Sequence, residues 1–211
     1  MKKKFVFKKL KKFSNARLGK ISTSRGHIDT PVFMPVGTIA NVKAMFPENI
    51  IQTNSKIILC NTYHLMLRPG IDIIKKFGGI NNFMNWKKPI LTDSGGFQIM
   101  SLSPLVKLSD DGVNFKSHID GKKIFMSPED CINLQIGFDV DIAMVLDECI
   151  AYPIDHESAK KSMLRSMNWA ERSKNSWVHR KGKGLFGIVQ GGMYEDLRIE
   201  SANMLQDINF D

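Results

Sequence analysis

Short apolar runs that each end in a polar residue recur along this chain, and they set the expected fold. They lie at residues 32–38, 57–60, 90–92, 142–146 and 185–189. Each run is almost continuously apolar instead of alternating, which is the pattern of strands buried on both faces of a parallel sheet. Helical segments separate the runs, so the sequence predicts an α/β fold in which strands and helices alternate.

The segments between the runs carry helix start and stop signals. Ser127 followed by Pro128 is typical of a helix start, and Asp155 is suited to cap a long helix. Two glycines, Gly78-Gly79, are expected to end an earlier helix. These signals predict helices that begin at 47, span 71–77, begin at 128, span 155 to about 180 and span about 194–206.

Two segments favour antiparallel strands instead. Residues 16–33 alternate loosely around Arg25-Gly26 and predict a hairpin. Residues 106–126 contain the turn dipeptides Asp111-Gly112 and Asp120-Gly121, which predict an antiparallel insertion between two of the parallel strands.

The polar residues at the strand ends indicate where a site would lie. They are Thr38, Asn61, Asp93, Asp147 and Gln190. In a (β/α)8 barrel these positions would share the rim at the carboxyl ends of the strands, where such enzymes keep their sites. A doubly wound sheet would also gather strand ends, mainly at a switch point of the strand order.

The stretch from Pro89 to Met100 carries the densest candidate chemistry. A buried strand delivers Asp93 onto the loop Ser94–Gly96, beside Phe97 and Gln98. Glycines allow close approach of the backbone to a ligand, and an aromatic ring offers a stacking face. The stretch is therefore interpreted as a floor for a flat, hydrogen-bonding ligand. The alternative is a strand end followed by a tight turn.

A guanine-like base matches these groups. A carboxylate such as Asp147 accepts both donors of the Watson–Crick edge, and an amide at Gln190, with Gly191-Gly192, serves the carbonyl side. Phe97 supplies a stacking ring, and Asp93 remains free for proton transfer. An enzyme acting on a base in RNA would extrude that base into such a pocket.

Charge divides the chain into two parts. The chain has 211 residues and a net charge of +9, and residues 1–20 hold nine Lys/Arg and no Asp or Glu. Residues 1–15 are therefore expected to form a basic N-terminal arm and residues 16–211 the barrel part. Such an arm attracts polyanions such as RNA, and the alternative is a solubilising tail.

Several other classes of protein are excluded by simple counts. The three cysteines are far apart and lack CxxC spacing, which argues against a disulfide framework and against a zinc site within this chain. No apolar run approaches the roughly 18 residues of a membrane span. A cytoplasmic protein is expected. The glycine pattern at 182–187 precedes a strand, which is the wrong context for a dinucleotide fingerprint.

Several long motifs together resemble the bacterial tRNA-guanine transglycosylases, also called queuine tRNA-ribosyltransferases. They are ILCNTYHLMLRPG at 58–70, DSGGFQ at 93–98, SHIDGKKIFMSPED at 117–130, DECIAYP at 147–153 and FGIVQGG at 186–192. The resemblance covers about residues 15–211. It implies a (β/α)8 barrel that exchanges guanine at the tRNA wobble position for a 7-deazaguanine precursor of queuosine, in a family that usually forms homodimers.

The resemblance also implies roles for single residues. Asp93 would be the general acid/base that touches the incoming base. Asp147 would read the amino-pyrimidinone edge, and Gln190 the carbonyl side. The pocket would be lined by Ser94, Gly95, Gly96 and Phe97, with Phe97 stacking. Cys149 would be part of the wall or a small core residue, and Tyr63 and His64 structural hydrogen-bonders.

Two family features are not found in the sequence. The aspartate nucleophile lies on a later strand of the family, and the zinc site, built from cysteines and a histidine, lies later still. The expected architecture is therefore a barrel truncated after about five β/α units, with no metal or cofactor in this chain and zinc only with a C-terminal part. No base exchange is expected from this chain alone.

Three hypotheses remain open at this stage. The chain is the base-recognition part of a transglycosylase, or it is a degenerate, non-catalytic half-barrel that binds RNA or a partner subunit. The third is an unrelated metabolic barrel enzyme. The DNA sequence downstream of the codon for Asp211 would discriminate between the first two.

Overall fold

The structure, a computed structural model, describes residues 4–102, 105–178 and 180–211. Its strands are β1 (Val6–Phe13), β2 (Ala16–Thr23), β3 (Gly26–Thr30), β4 (Ile58–Cys60), β5 (Ile90–Thr92), β6 (Lys107–Ser109), β7 (Gly112–Lys116), β8 (Lys123–Met126), β9 (Ile142–Met144) and β10 (Gly184–Phe186). Its helices are α1 (Pro47–Gln52), α2 (Thr62–Leu67), α3 (Ile71–Lys76), α4 (Ile80–Phe83), α5 (Gly96–Leu102), α6 (Pro128–Phe138), α7 (His156–Ser176) and α8 (Glu195–Ile208).

A parallel sheet with the order β10-β9-β5-β4 forms the centre of the molecule. The predicted α/β class with a parallel sheet and helices is therefore confirmed. The apolar run at 32–38 contributes an isolated parallel bridge from Val36 to Leu59. Pro35 lies in this run and has no N–H to donate, which limits a longer ladder. Within the described residues the sheet is open, so the closed barrel stays a prediction.

Both faces of this sheet are buried, as the continuous apolar runs predict. On one face, Ile58, Ile90 and Ala143 pack with the surrounding helices in the largest core cluster. On the other face, Leu91 and Ile142 pack under the first antiparallel sheet. Side chains of a strand alternate between faces, so each run must be apolar at every position.

The sheet β1-β2-β3 covers the second face, and the predicted hairpin around Arg25-Gly26 is its β2–β3 turn. Within the predicted basic arm at 1–15, Val6–Phe13 pairs with β2 in an antiparallel ladder. Every residue of this edge strand is exposed. Lysines along an exposed edge are compatible with a strand and discourage its pairing with other chains.

The predicted antiparallel insertion is confirmed as the sheet β6-β7-β8. The helix after it starts as expected, since the Ser127 hydroxyl accepts a hydrogen bond from the Asp130 N–H. The Asp155 carboxylate likewise caps α7 by accepting from the Ser158 N–H at 2.9 Å. This helix ends at Ser176, before the predicted 180.

Three of the helices, α2, α4 and α5, were not predicted. No helix was predicted at residues 62–67 or 96–102, which form α2 and α5. Both are short and follow directly on strands β4 and β5, so they project from the carboxyl ends of those strands. Among the described residues, no helix combines the length and the hydrophobicity that crossing a membrane requires.

Candidate active site

The carboxyl ends of the central strands surround a pocket of about 470 Å³. Apolar side chains from the covered face of the sheet form its base, and the predicted polar residues form one wall. The lining includes Met34, Leu59, Leu91, Asp93, Ser94, Gly95, Gly96, Phe97, Gln98, Met144, Asp147, Cys149, Phe186 and Ile188. Three predicted strand-end residues, Thr38, Asn61 and Gln190, are absent from this lining. Asn61 and Gln190 contact it through their hydrogen bonds to Asp93 and Asp147.

Asp93 lies one residue beyond β5 and is held by the start of α2. The Thr62 N–H donates to Asp93 Oδ1 at 2.9 Å, and the Asn61 side-chain amide donates to Oδ2. The Thr62 hydroxyl donates to the Asp93 carbonyl at 2.6 Å. Burial raises the pKa of the Asp93 carboxyl, although these donors and Gln98 partly oppose the shift. The result is a fixed carboxyl group that retains its proton to a higher pH than an exposed aspartate.

Asp147 lies three residues beyond β9 and joins two other predicted site residues. The Ser94 hydroxyl donates to Asp147 Oδ1 at 3.2 Å, and the Gln190 side-chain amide donates to Oδ2 at 2.7 Å. Burial raises the pKa of Asp147 against these two hydrogen bonds, and the nearby charge of Asp93 adds to the rise. The three loops that follow β5, β9 and β10 therefore meet at one carboxylate.

The glycines of this loop are required by close contacts within the protein. Gly95 has φ +85°, and a Cβ there would lie 2.9 Å from the Tyr63 backbone nitrogen. A Cβ on Gly96 would lie 2.7 Å from the Asp147 carbonyl oxygen. These glycines were expected to allow close approach of a ligand, and both line the pocket. The structure shows that they also let the loop pack against α2 and against the segment after β9.

Phe97 and Cys149 complete the wall of the pocket. The Phe97 ring is 63% exposed on the first turn of α5 and lines the pocket, so a flat ligand can reach its face. Cys149 is half-buried and also lines the pocket. Burial raises the pKa of its thiol, and the Asp147 charge adds to this effect. A neutral thiol is a wall group and not a nucleophile.

Tyr63 and His64 have the kind of contacts that their predicted structural role requires. The Tyr63 hydroxyl and His118 Nδ1 are 2.8 Å apart, and the two rings stack. The His64 ring meets both of the others edge-on. These contacts tie α2, which holds Asp93, to the antiparallel insertion.

Three residues with contacts at the site were not in the predicted set. Asn61 and Thr62 hold Asp93, and Gln98 lines the pocket with its Oε1 buried and without a partner. Asn61 was recognised as a polar strand end, and Gln98 belongs to the same motif as Phe97. Their contacts depend on α2 and α5, which the sequence analysis did not predict.

The described residues contain no group of three or more His, Cys, Asp or Glu side chains that could hold a metal ion. Cys60 and Cys131 are both buried, and burial raises the pKa of each thiol. Neutral buried thiols are poor zinc ligands. The donor set described here therefore does not fit the zinc of the family.

An α/β scaffold with paired carboxylates at the carboxyl ends of its parallel strands has the form of an enzyme site. Comparison with known proteins specifies the family. A family model described as queuine tRNA-ribosyltransferase matches residues 12–211, so the chain belongs to that family.

Curated relatives carry the same name. The chain is 54% identical over 205 residues to a queuine tRNA-ribosyltransferase of Acetivibrio thermocellus, covering 97% of this chain and 54% of the relative. It is 52% identical over 202 residues to that of Listeria monocytogenes serotype 4b, covering 96% and 53%. The predicted resemblance is confirmed. The chain spans about half the length of the curated relatives it matches.

Proposed function

We propose that this chain acts in tRNA-guanine transglycosylation, the exchange of guanine at the tRNA wobble position for a 7-deazaguanine precursor of queuosine, and that the described residues bind the base. The observation that carries the proposal is the arrangement around Asp147. This buried carboxylate is held by Ser94 and Gln190 at a pocket whose wall includes the exposed ring of Phe97.

Asp147 is suited to the amino-pyrimidinone edge of guanine. The N1–H and the exocyclic amino group of that edge are adjacent donors, and a carboxylate accepts both in a charge-assisted pair. The hydrogen bonds from Ser94 and Gln190 fix the carboxylate before the base arrives. Pre-organisation of this kind lowers the entropy lost on binding.

The carbonyl side and the face of the base have their own partners. Gln190 carries a second amide hydrogen besides the one donated to Asp147, and its amide is the group we assign to guanine O6. The Phe97 ring is assigned to the base face, because stacking is favourable for any flat heterocycle. The lining apolar residues exclude water from the other side.

Asp93 is assigned as the general acid/base. Burial raises its pKa, so the carboxyl group holds a proton, which it can pass to a base, more readily than an exposed aspartate does. Asn61 and Thr62 fix its orientation. In the proposed exchange, Asp93 passes a proton to the departing base and takes one from the incoming base. No described residue is assigned to the attack on the ribose.

The remaining parts of the proposal are expectations from the resemblance to the family. We propose a (β/α)8 barrel that includes the observed open sheet, a homodimer, a cytoplasmic location and tRNA as the macromolecular substrate. The exposed basic side chains along β1 and β2 would attract the tRNA backbone. Since the described residues do not fit a zinc ion, no step is assigned to that metal.

Equilibrium dialysis of the pure chain against labelled guanine tests the proposal. We expect saturable binding of one guanine that unlabelled guanine displaces. Hypoxanthine lacks the exocyclic amino group, so it should compete about 100-fold less well, because one hydrogen bond to a buried charged acceptor is lost. No saturable binding of guanine, or equal competition by adenine, would contradict the proposed function.

A further inference from the structure

A buried glutamine on α6 connects the ends of the two strands that carry the carboxylates. Gln135 is 0% exposed, and its side-chain Oε1 accepts hydrogen bonds from the Thr92 hydroxyl and the Met144 N–H, each at 2.9 Å. Its Nε2 donates to the Met144 carbonyl, also at 2.9 Å. Thr92 directly precedes Asp93, and Met144 lies three residues before Asp147.

The backbone pairing of these two strands explains why a side chain is placed there. The Asp141 N–H donates to the Ile90 carbonyl at 3.0 Å, and the registered pair of β5 and β9 is Leu91 with Ile142. Toward the carboxyl ends, the Gln135 amide makes the contacts to both strands instead. An inserted amide keeps polar groups satisfied while it links two strands that no longer pair directly.

The same face of α6 also contacts the loop that carries Ser94. Cys131 lies one turn before Gln135, and its thiol donates to the Ser94 carbonyl at 3.3 Å. The Gln135 amide in turn donates to the Cys131 carbonyl at 3.3 Å. One helix face therefore touches the end of β5, the loop after it and the end of β9.

We propose that Gln135 is a positioning residue, which sets the separation of Asp93 and Asp147 and so the affinity of the pocket for a guanine-type base. The choice of guanine as the ligand rests on the proposed function, whereas the positioning itself is argued from the observed hydrogen bonds of Gln135. The amide acts through the Thr92 side chain and the Met144 backbone, and it does not itself line the pocket.

The test compares two buried amides that make similar hydrogen bonds in different places. Gln135→Met keeps the length of the side chain and removes its amide. The control is Asn81→Leu, because Asn81 is also buried and donates to two backbone carbonyls, those of Trp86 and Lys88, before β5 begins. Urea unfolding of both variants measures their stability. Dialysis against labelled guanine, at a urea concentration well below either unfolding midpoint, measures their affinity.

We expect Gln135→Met to bind guanine at least tenfold more weakly than the wild type and Asn81→Leu to stay within twofold. If the two variants lose affinity equally once corrected for the folded fraction, or if Gln135→Met retains full affinity, the positioning role is wrong. Should Gln135→Met fail to fold, Thr92→Val takes its place. It removes the hydrogen bond from the Thr92 hydroxyl to Gln135 at nearly constant shape, and it is expected to bind guanine several-fold more weakly than the wild type.

A second readout separates this inference from the proposed function. Carbon-13 NMR titration measures the protonation of the side-chain carboxyl groups in the absence of any ligand. In Gln135→Met the splayed strands should admit water, so the titration midpoint of Asp147 should fall relative to the wild type, while Asn81→Leu leaves it in place. If the wild type binds no guanine, the proposed function fails; an unchanged Asp147 midpoint in Gln135→Met would refute the positioning role in either case.

Discussion

The central strands have buried or half-buried carboxylates at both ends, and the partners of these carboxylates differ between the two ends. At the amino ends, Asp139 and Asp141 lie among cations. Arg25, from the β2–β3 turn, pairs with both of them, and Arg180 and Lys183 pair with Asp139 at 3.1 and 2.6 Å. The turn therefore joins the first sheet to the central one by a network of ion pairs.

At the carboxyl ends the partners are neutral. Within the described parts of the chain, Asp93 and Asp147 form no ion pair, and their donors are side-chain amides, a hydroxyl and a backbone N–H. A buried carboxylate paired with a cation is already satisfied, whereas one held by neutral donors retains its charge for a ligand. The comparison indicates that the amino end holds the fold together and that the carboxyl end is reserved for chemistry.

The largest expected effect is on stability and comes from the amino end. The Asp141 side chain is 0% exposed and accepts from Arg25 and from the Ile90 N–H at 3.0 Å. Asp141→Ala removes one partner of a buried pair and should lower the free energy of unfolding by about 3–5 kcal/mol. Urea denaturation measures this. Asp29→Ala is the control, since Asp29 pairs with Lys20 on the surface at 3.7 Å and should change stability by less than about 1 kcal/mol.

The next effect is on binding and comes from the carboxyl end. Asp147→Ala removes the charge assigned to the base edge and should weaken guanine binding about 100-fold, or roughly 2.7 kcal/mol. The free energy of unfolding should change by about 1 kcal/mol or less, because a buried charge without a counter-ion is removed together with its hydrogen bonds. Equal losses of stability in Asp147→Ala and Asp141→Ala would abolish the distinction between the two ends.

Acid should also separate Asp147 from Asp139. Guanine binding requires the ionised form of Asp147, and burial raises the pKa of that group. Affinity should therefore fall about tenfold per pH unit once the pH drops below this raised pKa, which lies above the ordinary aspartate value of about 3.9. Dialysis against labelled guanine between about pH 4 and pH 8 measures this loss of affinity.

The pKa shift of Asp139, at the amino ends of the strands, has the opposite sign. The cations beside Asp139, Lys183 foremost, lower its pKa against the effect of burial. A lowered pKa contributes stability that is present above the unfolded value and is lost as the pH falls through the folded one. Base binding should consequently be lost at a higher pH than the stability contributed by Asp139. Loss of both at the same pH would contradict this order.

The smallest predicted effect concerns the exposed ring. Phe97→Leu keeps an apolar side chain and removes the aromatic face, so guanine binding should weaken about fivefold, at the lower limit of base–aromatic stacking energies. Met100→Leu, on the same helix but outside the pocket lining, serves as the control in the same dialysis assay. A Phe97→Leu variant with wild-type affinity would exclude stacking on this ring.

The central sheet and the core of the site were predictable because they depend on local patterns. A continuous apolar run ending in a polar residue identifies a buried parallel strand and its carboxyl end together. The sequence alone therefore predicts that Asp93 and Asp147 lie on one rim. The turn dipeptides at Asp111-Gly112 and Asp120-Gly121 likewise located the antiparallel insertion.

The misses occurred where tertiary contacts decide the structure. The strand Val6–Phe13 is exposed at every position, so its pattern has no buried face to reveal it, and pairing with β2 is what orders it. The short helices at 62–67 and 96–102 have too few residues to show a periodicity. The contacts of Gln135 depend on how α6 lies against two strands, which no spacing in the sequence discloses.

The most direct test measures urea unfolding with and without saturating guanine for the wild type, Asp141→Ala and Asp147→Ala. A ligand that binds the folded state stabilises it in proportion to its affinity. The account predicts the same gain in unfolding free energy for the wild type and for Asp141→Ala, although the latter starts from a lower value, and almost no gain for Asp147→Ala. A full gain in Asp147→Ala, or its loss in Asp141→Ala, would contradict the assignment of base binding to the carboxyl ends of the strands.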